Sequence, residues 1–199
     1  MSEPKENITA DTRTRLIQAA REAFMKEGYR ASVDGIAARA GVAKQTLYNH
    51  FPCKGDLFSE AATIASAAIV VSLDGETDDV RASLCRFAAS FREKVLGDEG
   101  LDMLRALIAE STRFPALTQA FFTKGPIKTA TRLADFLGRA MAAGHLRQDD
   151  PRFAAEMLLG MLGGFEHIRR LCTASAPEVA EAQRIEQIVD CFLRAYTRN

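Results

Sequence analysis

Residues 33–58 constrain the fold more than any other part of the chain, because they hold two short helical patterns separated only by Gly41 and Val42. Glycine tolerates the left-handed backbone that a tight turn between two helices requires. Small and branched apolar residues surround this turn and would let the helices cross closely: Ile36, Ala37, Ala40, Val42 and Leu47. The pattern predicts a helix-turn-helix unit whose second helix covers about residues 43–51 and ends at Pro52.

Helical periodicity continues on both sides of this unit, and no alternating strand pattern interrupts it. Apolar residues at i, i+4, i+7 and i+8 predict a first helix over residues 12–28, capped by Asp11 and ended by Gly28. Ser32 offers an N-cap to the next helix, which runs to Ala40. We expect the later helices over residues 54–73, 78–96, 99–112, 115–143 with a break at Gly125 and Pro126, 151–173 and 178–196.

The chain is therefore predicted to be all-α, with about nine helices. The short loops and lengthening helices favour a three-helix domain over residues 1–54 and a helical bundle over residues 55–199.

Charge and cysteine content narrow the class of protein. The first 55 residues carry nine Lys or Arg against six Asp or Glu, which leaves 17 against 20 in the remainder. A local basic excess favours a polyanionic partner. Polar residues interrupt the most apolar run, residues 61–73, so we expect a cytoplasmic protein without a membrane segment. The four cysteines have no metal-ligand spacing, which indicates free thiols in a reducing compartment.

The second helix of the helix-turn-helix unit begins with Lys44, Gln45 and Thr46 on its polar face. In a DNA major groove, Lys can donate to guanine O6 and N7, Gln can pair with adenine, and Thr can contact a thymine methyl group. The partner predicted from these residues is double-stranded DNA.

Two adjoining runs, TRTRLIQAAREAFMKEGYRA and SVDGIAARAGVAKQTLYNHFPCKGDLF, resemble the N-terminal DNA-binding region of the TetR/AcrR family of bacterial transcriptional regulators. The Ile-Ala, Ala-Gly-Val, Leu-Tyr, His-Phe and Lys spacing matches throughout residues 12–58. The resemblance implies a three-helix DNA-binding domain, a helical domain for ligand binding and dimerisation, and release from a palindromic operator when an effector binds. Ala43 and Cys53 depart from the pattern, because Ser usually caps a helix at these positions, so weaker caps are expected.

The resemblance also assigns DNA contacts. Base reading falls to the N-terminal end of the second helix, and the remaining residues reach base edges, sugar or phosphate. Tyr48 also fits a packing role, and His50 also fits a structural contact to the first helix. We expect Gln45 to set sequence preference. The implied contacts are Ser32, Lys44, Gln45, Thr46, Tyr48, Asn49, His50 and Lys54.

The last two predicted helices suit a homodimer interface. The helix over residues 151–173 carries apolar residues all round, so both of its sides must be covered. By itself, the apolar stripe on the final helix is more often part of a core than of an interface. The resemblance favours these helices as a dimer seam, which would present two DNA-reading helices to a palindrome. The predicted interface residues are Met157, Met161, Gly164, Ile185, Ile188, Val189 and Phe192.

The middle helices are rich in phenylalanine, and a mainly apolar cavity with a few polar anchors would hold a small apolar or aromatic effector. Arg113 or His167 would suit a weakly acidic group, and ordinary core packing is the alternative for each apolar residue. The predicted pocket residues are Phe87, Phe91, Met103, Leu107, Arg113, Phe121, Phe165 and His167.

Two other classes of protein remain alternatives. A helical enzyme is disfavoured, because the sequence has no G-x-S-x-G, H-E-x-x-H or phosphate-cradling glycine motif. We accordingly expect no catalytic residue, cofactor or metal. A DNA-binding architectural protein without an effector would differ by a solidly packed second domain.

Overall fold

The computed structural model describes residues 4–74, 79–173 and 180–197, without the side chains of residues 4–10, 25, 62 and 64–68. The α-helices are α1 Pro4–Glu27, α2 Val33–Arg39, α3 Lys44–His50, α4 Lys54–Val70, α5 Val80–Leu96, α6 Asp98–Glu110, α7 Pro115–Phe122, α8 Lys128–Ala142, α9 Pro151–Cys172 and α10 Glu181–Tyr196. A π-helical turn, Thr123–Ile127, joins α7 to α8. Counted over the described residues, with α7 and α8 taken together, there are nine helices and no strand, which confirms the predicted class.

The first helix differs from its prediction. It begins at Pro4, so Asp11 is not its cap but lies inside it. There Asp11 forms an ion pair of 3.4 Å with Arg15, an i, i+4 arrangement that suits a helix interior. The predicted break at Gly125 and Pro126 is the π-helical turn, because proline has no N–H group for regular helical bonding. The predicted helix starts at residues 78 and 178 lie outside the described residues.

The first compact unit combines Met1–Ile64 with Asp102–Lys124. Its core holds the helix-turn-helix residues together with parts of α4, α6 and α7. The Phe58 ring lies 4.9 Å from that of Phe24 and 6.3 Å from that of Phe121, and Tyr29 contacts Phe114 at 5.3 Å. The contacts of Phe121 with Phe58 and of Phe114 with Tyr29 tie α7 and the residue before it to α4 and to the segment after α1, within this unit.

The second unit combines Ala65–Leu101 with Gly125–Asn199. Residues of α5, α8, α9 and α10 form its hydrophobic core, including Phe87, Leu133, Leu158 and Val189. Helix α9 bends at Gly164, whose φ of 40° and ψ of −137° lie in a region that only glycine adopts readily. The bend divides α9 into two helical halves.

A buried arginine links three segments of the second unit. The Arg92 side chain is 1% exposed and donates to Glu166 at 2.7 Å, to the Leu162 carbonyl at 2.6 Å, and to Glu181. Arg170 also donates to Glu166, at 2.6 Å. This network connects α5 with both sides of the bend in α9 and with the start of α10.

Among the described residues, no helix is long and apolar enough to cross a bilayer.

Candidate nucleic-acid interface

The turn between α2 and α3 has the geometry that the sequence predicted. Gly41 has a φ of 68°, in the left-handed region. Its N–H donates to the Ala38 carbonyl at 3.1 Å, and the Val42 N–H donates to the Ala37 carbonyl at 3.0 Å. These two bonds form a Schellman motif, which satisfies the last carbonyls of α2 and redirects the chain. The motif fixes the direction in which α3 leaves the turn.

Packing decides which face of α3 is available. Leu47 is completely buried and packs into the first-unit core with Ile36 and Ala37 of α2. The remaining surface of α3 is polar. Lys44, Gln45, Tyr48 and Asn49 are exposed, whereas Thr46 and His50 are half-buried. The structure therefore brings the six predicted contacts of α3 together on one short helix, with its apolar side anchored.

Two of these side chains are held by neighbours. The Lys44 ammonium group forms an ion pair of 3.0 Å with Asp34 of α2, and this hydrogen-bonded carboxylate raises the pKa of Lys44. The Gln45 amide donates to the Asn49 side chain at 3.1 Å, one helical turn further along. Asp34 and Asn49 therefore orient the two side chains with the best donor groups for reading bases. Asp34 had no predicted role at the interface, although the sequence places it in the first turn of α2.

The helix caps around the interface differ in chemistry. The Ser32 hydroxyl accepts a hydrogen bond from the Gly35 N–H at 3.0 Å, which confirms its role as the N-cap of α2. Ala43 precedes α3 without a side-chain cap bond, as predicted. At α4, the Asp56 N–H donates to the Cys53 sulfur at 3.4 Å, and the thiol lies 3.2 Å from the Asp56 carboxylate. Cys53 thus replaces a hydroxyl cap with a weaker sulfur one.

Lys54, which was predicted to contact a phosphate, is engaged by Tyr29 of its own chain. Its ammonium group donates to the Tyr29 carbonyl and lies 4.4 Å from the centre of the Tyr29 ring. Burial lowers the pKa of Lys54, partly offset by the charge of Glu110. The side chain therefore joins the start of α4 to the segment after α1, and a phosphate would have to compete with these contacts.

The predicted pocket residues are divided between the two hydrophobic cores. Leu107 is buried in the first-unit core, with Met103 and Phe121 packed against it. Phe87 is buried in the second-unit core, with Phe91 packed against it. The grouping of these residues in a single pocket stays a prediction.

Three further pocket residues lie in more open or polar settings. Arg113 is exposed, with its guanidinium group 5.1 Å from the centre of the Phe114 ring. Phe165 is 81% exposed, which does not fit an enclosed apolar pocket. His167 is half-buried, its Nε2 has no hydrogen-bond partner within the described structure, and burial lowers its pKa.

Three of the predicted dimer residues require a correction. Ile185, Val189 and Phe192 are buried in the core of their own chain, so their side chains are not available to a partner. The periodic stripe of α10 packs against α5 and α9 instead. The other four predicted residues keep accessible surface: Met157, Met161 and Ile188 are half-buried, and Gly164 is exposed.

Arg92 had no predicted role. This arginine lies on the buried face of α5, four and eight residues after Ala88 and Leu84. A charged residue in register with a buried apolar stripe was the available signal, because such a charge must be paired within the fold.

Comparisons with known proteins agree with this arrangement. A family model described as bacterial regulatory proteins of the tetR family matches residues 16–61, which include the helix-turn-helix. A second model, the AefR-like transcriptional repressor C-terminal domain, matches residues 82–198. A helix-turn-helix with an exposed polar recognition helix, joined to a helical second unit, defines a DNA-binding transcriptional regulator. The chain belongs to the TetR family of these regulators and carries an AefR-like C-terminal domain.

Individual relatives span most of the chain. An uncharacterised HTH-type transcriptional regulator of Mycobacterium bovis is 28% identical over 156 residues, covering 77% of this chain and 79% of the relative. A TetR-family structure from Mesorhizobium loti is 26% identical with a TM-score of 0.78, covering 96% and 98% of the two chains. The Flavonoid-responsive Regulator FrrA is 31% identical with a TM-score of 0.72, covering 94% and 98%. These similar proteins are regulators, not enzymes.

Proposed function

We propose that the protein is a repressor that binds a palindromic operator as a homodimer and leaves it when a small apolar or aromatic effector binds. It acts by binding and not by catalysis, in the bacterial cytoplasm where its DNA partner lies. The observation that carries the proposal is the polar face of α3, which is exposed while the opposite face is anchored by Leu47. The description of the C-terminal family model as a repressor domain supports repression and not activation.

The contacts of α3 explain how DNA would be read. In the free protein, Lys44 forms an ion pair with Asp34, and Gln45 donates a hydrogen bond to Asn49. A guanine offers Lys44 two acceptors, and an adenine offers Gln45 a bidentate pair. Because the present partners are exposed, their exchange for bases costs little, and the net gain depends on the base presented. Sequence preference would therefore arise at Gln45, with Lys44 and Thr46 beside it.

A homodimer would account for the apolar surface of α9. Phe153 is 53% exposed, Phe165 81% and Ile168 60%, on a stripe that also includes the half-buried Met157 and Met161. Such a stripe favours burial against another apolar surface. A two-fold axis would pair the same surface of two chains and would present two α3 helices to half-sites about 34–36 Å apart.

Effector control follows from differential affinity. Helix α4 contributes residues to both units, since it runs from Lys54 to Val70 across the boundary after Ile64. We expect the effector to act on the far end of α4, around residues 65–70, where the side chains of residues 65–68 lie outside the described residues. An effector that prefers the released state by about 2.7 kcal/mol would weaken operator binding roughly a hundredfold. The relative FrrA is named as flavonoid-responsive, and because flavonoids are aromatic compounds this likeness supports an aromatic ligand here.

Selection of bound sites from random DNA tests the proposal. We expect enrichment of one inverted repeat whose half-site centres lie about one helical turn apart. Binding without any enriched sequence would contradict sequence-specific recognition, and an enriched single half-site would contradict the dimer. Operator release by aromatic compounds, measured on the selected site, then tests effector control separately.

A further inference from the structure

Asp34 places a negative charge beside the exposed polar side of α3. The Lys44 ammonium group lies 3.0 Å from one carboxylate oxygen of Asp34 and 3.1 Å from the other. Both side chains are open to solvent, with 53% of Lys44 and 68% of Asp34 exposed. Helix α3 itself, Lys44–His50, has no acidic residue, so this carboxylate is supplied by α2.

The ion pair opposes general affinity for DNA. A lysine that contacts a phosphate releases a counterion and strengthens binding to any sequence. A lysine that holds a carboxylate brings no net charge to the DNA backbone, and the carboxylate is itself repelled by phosphates. Asp34 therefore lowers the part of the affinity that does not depend on base sequence.

The same pair is compatible with reading a guanine. A lysine ammonium group has three N–H donors and can rotate them. Because the two carboxylate oxygens of Asp34 lie on one side of this group, donors on the other side stay free for guanine O6 and N7 in the major groove. Asp34 thus restrains Lys44 without using all the donors that a guanine requires.

We propose that Asp34 is a specificity-determining residue, which suppresses binding to random DNA and orients Lys44 towards a guanine. It acts through Lys44 and is a positioning residue. The inference rests on the proposed function, because it takes α3 as the helix that reads bases. The alternative role is purely structural, since a carboxylate in the first turn of α2 stabilises that helix through its dipole.

Binding of Asp34→Asn to random DNA and to the selected site, measured from about 50 to 200 mM salt, tests the inference. Asparagine keeps the shape of aspartate and removes its charge. On random DNA the variant should bind about fivefold more tightly at the lowest salt, and its salt slope should be steeper by about 0.9. It should accordingly lose about 3.5-fold more affinity than the wild type over this range. The ratio of selected-site to random-DNA affinity should fall about fivefold.

Two controls separate this effect from a general loss of negative charge. Glu27→Gln removes a carboxylate that pairs with Arg39 at 3.6 Å, outside α3, and should leave the salt slope unchanged. In a Lys44→Gln background, Asp34→Asn should also leave the slope unchanged, because the lysine that it would free is absent. Single-base substitutions in the selected half-site should show a weaker preference at one guanine in Asp34→Asn.

Three results would overturn the inference. An unchanged salt slope in Asp34→Asn would show that the pair does not withhold Lys44 from phosphates. An equal gain in random-DNA affinity in the Lys44→Gln background, or in Glu27→Gln, would show an effect of overall charge. Weaker binding to both DNAs with a lower thermal midpoint would show that Asp34 only stabilises α2. The random-DNA measurement needs no operator, so its failure is distinguishable from a failed site selection, which would contradict the proposed function.

Discussion

Substitution of Gly41 tests whether the turn before α3 has the backbone that the structure assigns to it. A Cβ atom at this position would have Arg15 Nη1, at 3.9 Å, as its nearest neighbour, so Gly41→Ala introduces no steric clash. The cost is therefore conformational, since a left-handed backbone costs an L-residue about 1–2 kcal/mol. Alanine also restricts the unfolded chain, which offsets about 0.4–1 kcal/mol. The expected net loss is about 1 kcal/mol of unfolding free energy.

The Val42 amide provides a local readout of this loss. Its N–H donates to the Ala37 carbonyl across the turn, so hydrogen exchange reports the opening of the turn even if the two units unfold separately. A loss of 1 kcal/mol predicts roughly fivefold faster exchange. Gly41→Asn is the matched control, because asparagine tolerates the left-handed region better, and it should exchange more slowly than Gly41→Ala.

Unchanged or slower exchange in Gly41→Ala would refute the left-handed turn. Exchange in Gly41→Asn that is faster than in Gly41→Ala would refute the argument that φ, and not side-chain size, sets the cost.

Three further predictions concern the second unit. Arg92→Met should cost about 1.5–3 kcal/mol and lower the thermal midpoint by roughly 3–12 °C, because the Leu162 carbonyl loses its donor and Glu166 keeps only Arg170. A midpoint within 2 °C of the wild type would contradict the network, and the exposed Arg152→Met is the control. Burial lowers the pKa of His167 below its ordinary value of 6.5, so the unfolded chain takes up a proton before the folded chain does on acidification. Stability should therefore fall as the pH drops through about 6.5 towards the folded pKa. His167→Gln should flatten this slope in pH-dependent melting, and an unaltered slope would contradict the assignment. Ile168→Glu should give monomers in analytical sedimentation at micromolar concentration, whereas Ile108→Glu, at an isoleucine of similar exposure in the first unit, should not; dimers in both would exclude the α9 stripe as the interface.

Local chemistry explains why the helix-turn-helix could be predicted from the sequence. Ser32, Gly41 and Pro52 each act on the backbone within a few residues, so the ends of α2 and α3 fall within one residue of the predictions. The exposed face of α3 followed from the same spacing, because Leu47 marks its buried side.

Contacts between distant residues explain what could not be predicted. Lys54 is held by a backbone carbonyl 25 residues earlier, at Tyr29, and no sequence pattern marks such a partner. Periodicity shows that a helix has an apolar face but not what covers that face. Phe192 was consequently assigned to a dimer although its own chain buries it, whereas Ile168, left out of the predicted interface set, is 60% exposed.

The binding of Gln45→Ala to a selected site and to random DNA tests the central claim, that the exposed end of α3 reads base sequence. Removal of the amide should weaken binding to the selected site by about 1–3 kcal/mol, or roughly 5- to 150-fold. Binding to random DNA should remain unchanged, because phosphate contacts supply that affinity. Gln18→Ala is the control, because it removes an exposed glutamine of α1 that is hydrogen-bonded to Glu22 and has no predicted DNA contact. Equal losses on the two DNAs for Gln45→Ala would contradict the claim, since they would show that Gln45 contributes to general DNA affinity and does not distinguish bases.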